Sequence, residues 1–190
     1  MNLKVAIKES IDTKKRLLEN EELIQHIEQL VDLCINGFKN GNKLYLCGNG
    51  GSAADAQHIA AELSGRFNYD RKPLPAEALH VNTSFLTAVA NDYDYSQTYS
   101  RMVEAFGDKG DILIGISTSG NSANVVNAIK TANEKEMTTI ALTGENGGKL
   151  KDLSDLCIKI PSDNVARIQE AHILIGHILC EEIEKAIFPI

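Results

Sequence analysis

Apolar residues recur at helical spacing through the first forty residues, with Leu23, Ile24, Ile27, Leu30, Val31, Cys34, Ile35 and Phe38 forming one stripe. The spacing predicts helix over 1–40, broken near Glu19-Asn20 and ended by Asn40-Gly41-Asn42. The pattern then changes to short apolar runs at Lys43–Cys47, Ala78–Asn82, Ile112–Ile116, Thr138–Leu142 and Leu156–Ile160. None of these alternates strictly, which is the signature of strands buried on both faces of a parallel sheet. Helix-like segments separate them at 52–64, at 84–106 with a break near Asn91-Asp92, and at 122–136; a long helix over 164–187 follows the last run. Strands alternating with helices predict an α/β sandwich. The whole chain, 1–190, suits one domain in which 1–40 is a helical arm. The stripe from Leu23 to Phe38 is expected to pack against copies of itself in a helical bundle.

Two strand ends resemble each other. CGNGGS at 47–52 and ISTSGNS at 116–122 each lead from a strand through Gly, Ser and Asn into a helix. Free N–H groups and the positive dipole end at a helix start favour an anion. Ligands of open parallel sheets bind at the carboxyl ends of strands, so two such loops side by side would make one site. Neither loop is a Walker motif, which needs G-K-[ST], and Gly48, Gly50 and Gly51 are too close together for a dinucleotide fingerprint. Ser52-x-x-Asp55 has the form of a capping box.

A formal charge of −7 argues against nucleic acid and anionic lipid as partners, and it means that local dipoles must hold any anionic substrate. The four cysteines, Cys34, Cys47, Cys157 and Cys180, form no C-x-x-C pair and read as buried thiols of a cytoplasmic protein. The N-terminus has the pattern of an amphipathic helix rather than a signal peptide, and no run approaches the ~20 apolar residues of a membrane span.

The helix after the first loop carries His58 and Glu62, four residues apart and so on one face, a spacing that suits two ligands of a divalent metal. A surface hydrogen-bonded pair is the alternative. In the last helix Gln169, His172 and His177 interrupt an apolar face. His172 reads as a satisfied core histidine. Gln169 and His177 are separated by about 12 Å along the helix axis. Both reach one metal only by leaning together, unless the site is assembled between subunits.

The segments GNGGSAADAQHIAAELSGRF, VANDYDY, STSGNSANV and RIQEAH...GH resemble the sedoheptulose-7-phosphate isomerases, or phosphoheptose isomerases, of the sugar isomerase (SIS) domain superfamily. The resemblance covers nearly the whole chain. It implies a three-layer αβα sandwich with a five-stranded parallel sheet, and a homotetramer with active sites at subunit interfaces. It implies one zinc per subunit, held by His58, Glu62, Gln169 and His177. It implies sugar-phosphate contacts from Asn49, Gly50, Gly51, Glu62, Asn91, Asp92, Ser117, Thr118, Ser119, Ser122 and Gln169.

The reaction so implied turns sedoheptulose 7-phosphate into D-glycero-D-manno-heptose 7-phosphate for bacterial lipopolysaccharide or capsule. It needs a base, an acid and a group that steadies an enediolate. Glu62 and His177 are the acid and base candidates that the resemblance suggests, while the residues alone leave open which takes the proton. The alternative is a non-catalytic SIS adaptor that binds the replication initiator. Retention of His58, Glu62, Gln169 and His177 together argues against it.

Overall fold

The computed structural model describes residues 2–190. Two helices open the chain, α1 (Leu3–Leu18) and α2 (Glu21–Lys39), and the Asn20 side chain between them caps α2 by accepting from Leu23 N–H. There follow β1 (Leu44–Gly48), α3 (Gly51–Ser64), β2 (Ala76–Ala78), α4 (Thr83–Asp92), α5 (Thr98–Phe106), β3 (Ile112–Ser117), α6 (Ala123–Glu134), β4 (Thr138–Gly144), β5 (Leu156–Ile160) and α7 (Val165–Ile187). The strands form one parallel sheet in the order β2-β1-β3-β4-β5.

Both faces of the sheet are covered, which is why its strands read as continuous apolar runs. Leu44, Leu46, Ile112, Ile114, Ile116, Ile140 and Ile158 pack into one core with α2, α3 and α7. Tyr45, Cys47, Leu113 and Ala141 point the other way, into a second core with α5 and α6. The three-layer αβα sandwich follows. All four cysteines are free thiols, and burial pushes Cys34, Cys47 and Cys180 up to about 12. Among the described residues no helix is long and apolar enough to cross a membrane.

Two expectations need correction. The second strand is not 78–82 but Ala76–Ala78, because pairing is set by β1: Leu44 N–H donates to Pro75 O and Leu79 N–H to Leu46 O. The chain then turns, with Val81 N–H on Ala78 O, so that Leu79 and Val81 are apolar without belonging to a strand. Ser52 is not a helix cap; it lies buried inside α3, whose cap position is Gly50. On α2, Leu23, Ile27, Leu30 and Cys34 are buried in this chain's own core, while Ile24, Val31, Ile35 and Phe38 are half-buried against it. The unpaired apolar surface of the arm lies on α1, where Leu3, Val5, Ile7, Ile11 and Leu18 are exposed.

Candidate active site

β1 and β3 are neighbours, with Gly48 in register with Ile116, so the two Gly/Ser/Asn loops emerge side by side at the carboxyl edge of the sheet. In the strand order 2-1-3-4-5 this is where successive connections diverge to opposite sides, the place where a ligand crevice opens. Four helices leave this edge directly from strands. α4 and α7 have their first turns capped by the side chains of Asn82 and Asn164, whereas α3 and α6 have no side-chain cap. The Ser122 hydroxyl, at the cap position of α6, is 2.9 Å from Ser117 Oγ instead. At α3 the Ser52 and Ala53 N–H groups bond back to Asn49 O and Gly50 O, and at α6 the Val125 N–H is taken by Asn124 Oδ1, so only the very first N–H groups of these two helices stay open to an anion.

The β3–α6 loop is shaped by its own bonds. Ser117 Oγ is 3.4 Å from Ser119 Oγ, Asn121 N–H donates to Ser119 Oγ, and Thr118 O accepts from Gly144 N–H of β4. Ser117 is buried, Thr118 and Ser122 are half-buried, and Ser119 is exposed. A cleft of about 340 Å³ opens beside the loop, lined by Thr118, Ser119, Gly144, Glu145 and Ser162 among others.

The β1–α3 loop is tied to this one by a reciprocal amide pair. Asn49 Nδ2 donates to Asn124 Oδ1 and Asn124 Nδ2 to Asn49 Oδ1, each at 2.9 Å. Tyr95 OH also donates to Asn49 Oδ1, and Tyr99 OH to Gly48 O. Asn91 and Asp92, at the end of α4, are exposed and bond to each other, and their side chains make no hydrogen bond to either loop. Asn124, Tyr95 and Tyr99 were not among the expected site residues. Asn124 stands inside STSGNSANV, but a partner 75 residues away leaves no mark on local pattern.

α3 and α7 run in the same direction and in step. A Cβ on Gly51 would come within 2.7 Å of the Gln169 amide, and one on Gly176 within 2.5 Å of Ile59. The second contact lets the helices approach closely beside His58 and His177. His58 Nε2 is 3.2 Å from Glu62 Oε1 and 3.4 Å from His177 Nε2. The imidazoles meet edge to face at 5.0 Å, and the Phe67 ring stacks on His177 at 6.0 Å and 28°. One turn before His58, Asp55 has a buried Oδ2 without a partner, and burial pushes its carboxyl up to about 6 against the pull of His58.

His58, Glu62 and His177 thus meet within one chain, whereas Gln169 lies about two turns back along α7, against Gly51 at the start of α3. Ligands of a tetrahedral zinc with bonds near 2.0–2.1 Å lie about 3.3 Å apart. The two distances at His58 match such edges, and two imidazoles with a carboxylate suit zinc. The trio is not closed, however: among the described residues no three His, Cys, Asp or Glu side chains form a group that could hold a metal as they stand.

The SIS domain family matches residues 7–144. A phosphoheptose isomerase of Sulfurimonas denitrificans is 52% identical over 186 residues, covering 98% of this chain and 95% of that protein. The chain belongs to the phosphoheptose isomerase family. A phosphoheptose isomerase of Clostridium acetobutylicum is 51% identical over the same shares of each. Among solved structures, the phosphoheptose isomerase of Neisseria gonorrhoeae superposes with a TM-score of 0.91 at 43% identity, covering 97% of each chain. That of Francisella tularensis does so with a TM-score of 0.93 at 39% identity and the same coverage. The family's isomerases share both the sheet and the arm of this chain, and the adaptor alternative gains no support.

Proposed function

We propose that this chain interconverts D-sedoheptulose 7-phosphate and D-glycero-D-manno-heptose 7-phosphate, supplying heptose for a bacterial surface polysaccharide. The observation that carries the reading is the meeting of His58, Glu62 and His177 on two helices that both reach the carboxyl edge of the sheet. Ser117, Thr118, Ser119 and Ser122, with the uncapped start of α6, hold the phosphate. Asn49, Gly50, Gly51 and Gln169 contact the sugar from the neighbouring loop. Asn91 and Asp92 join them when substrate or a second subunit closes over α4.

Glu62 and His177 carry the proton chemistry. One removes the proton from C1 while the other protonates the C2 oxygen, giving an enediol. Returning a proton to C2 as the O1 hydroxyl gives up its own yields the aldose, with no net gain or loss of atoms. His58, Glu62 and His177 are the residues of one chain that would hold zinc, one per subunit, with Gln169 as a fourth donor only where another copy brings it to them, and the bound ion would supply Lewis-acid polarisation of the carbonyl.

The protein works as a cytoplasmic homotetramer. The exposed apolar face of α1 supports assembly, and the open donor trio supports a site completed at an interface. Ile7→Glu with Ile11→Glu should release smaller species in sedimentation without unfolding the chain. A folded tetramer of the double variant would place the interface elsewhere. The function itself is tested by incubating the purified protein with sedoheptulose 7-phosphate in D2O and following carbon NMR. Aldose with deuterium at C2 is expected, and unchanged ketose would refute the assignment.

A further inference from the structure

The segment after α3 folds back over α7 and places a buried ion pair between them. The side chains of Arg71 and Glu184 are 2% and 0% exposed, with Arg71 Nε 3.0 Å from Glu184 Oε1. The rest of the guanidinium faces the end of α3, donating to Glu62 O at 2.8 Å, Leu63 O at 2.6 Å and Gly65 O at 3.0 Å. The last carbonyls of a helix have no partner within it, and here one cation collects them. Glu184 is as fully engaged: it also accepts from Phe67 N–H at 3.0 Å and Asn68 N–H at 2.7 Å.

We infer that the Arg71–Glu184 pair, acting through Phe67, is a positioning device that sets Glu62 and His177 relative to each other. It grips Glu62 by its own backbone carbonyl. It grips His177 by fixing the backbone of Phe67, whose ring lies stacked against that imidazole. Glu184 stands two turns after His177 on α7, so one carboxylate ties the tail of α3 to the helix that carries the second group. Helix packing alone does not need this pair, because Ile59 against Gly176 already brings the helices into apolar contact. Apolar residues of similar volume often serve stability as well as a buried ion pair does, so geometry is what this pair adds. Catalysis is sensitive to displacements of about 1 Å.

The inference rests on the proposed roles of Glu62 and His177, and the test separates the two. In metal-free protein labelled at histidine, the His177 ring resonance, assigned by its loss in His177→Gln, should move in Phe67→Leu as the ring current disappears, while that of His26 stays in place. The kcat of Phe67→Leu should fall about tenfold or more with KM little changed, and Phe67→Tyr, which restores a ring, should recover it. Arg71→Lys loses the fork that serves several carbonyls and should lower kcat in the same way wherever it folds. An unmoved His177 resonance in folded Phe67→Leu overturns the positioning role. A moved resonance with wild-type kcat shows only that the ring lies beside His177 and likewise overturns the positioning role, whereas wild-type kcat in His177→Ala would overturn the assignment of His177 on which the inference rests.

Discussion

The two ends of the site are built differently. At the β3–α6 loop, serines, threonine and an uncapped helix start come from one short stretch of chain and are bonded mainly to one another. At the α3–α7 contact, His58 and His177 come from positions 119 residues apart, and the His58 side chain is 47% exposed. The first end resembles a finished receptor for an anion. The second is an open set of donors whose positions depend on how two helices meet. On the proposed reading the cradle would hold the remote phosphate and the more exposed groups would act on the carbons, so binding and chemistry should be separable by mutation.

The largest effects should come from the second end. Glu62→Gln and His177→Ala should each lower kcat by about 10²–10⁴-fold, the usual worth of general acid or base catalysis, with the fold intact by circular dichroism. Steady-state kinetics checks this. Wild-type kcat in either variant would remove that residue from the proton path.

Metal should follow the same boundary. Purified protein should carry about one zinc per subunit by elemental analysis, and His58→Ala should lose most of it together with activity. Ser119→Ala should keep its metal. Full activity after exhaustive chelation would mean that the donor trio serves without an ion.

Changes in the cradle should act on binding. Ser119→Ala and Ser122→Ala each remove a hydroxyl that the proposed reading assigns to the phosphate, and a bond to a charged group is worth about 1.5–3 kcal/mol, or roughly ten- to a hundredfold in affinity. Calorimetry should show this in Kd, with kcat less affected. Equal loss of kcat and affinity would erase the distinction between the two ends.

A last effect, read on stability rather than on kinetics, sharpens the comparison from inside α7. His172 is fully buried, with Nε2 3.1 Å from Thr143 O, and burial lowers it to about 4 against that carbonyl's opposing pull. An unfolded His titrates near 6.5, so between pH 6.5 and 4 the unfolded chain holds more protons than the native one. Stability from the neutral ring is therefore complete above pH 6.5 and lost as pH falls towards 4, by about 2–3 kcal/mol. Denaturant titrations of wild type and His172→Gln should show a shallower decline in the variant. Identical slopes would assign the acid sensitivity to another group.

Much of this was legible in the chain. The break at Glu19-Asn20, four of the five strands and the long last helix follow from apolar spacing and caps. The two loops showed themselves because each function is packed into a few consecutive residues. What stayed hidden depends on the third dimension. Asn49 with Asn124, and Arg71 with Glu184, are side-chain pairs across 75 and 113 residues, and no local pattern announces them. The share of the α2 stripe that this chain buries itself was hidden for a related reason: an amphipathic helix reveals that it has an apolar face but not which surface covers it. The spacing of Gln169 and His177 was right as geometry, but α3 runs beside α7 in step, so each of the two residues meets a different turn of α3.

The central claim is that the cradle binds while the helix pair reacts, and Glu62→Gln tests it most directly. The variant should bind sedoheptulose 7-phosphate by calorimetry with a Kd within about tenfold of the wild-type KM, while exchange of the C1 proton with D2O, followed by NMR, slows by about 10²-fold or more. Exchange at the wild-type rate, or loss of binding in a folded variant, would contradict the account.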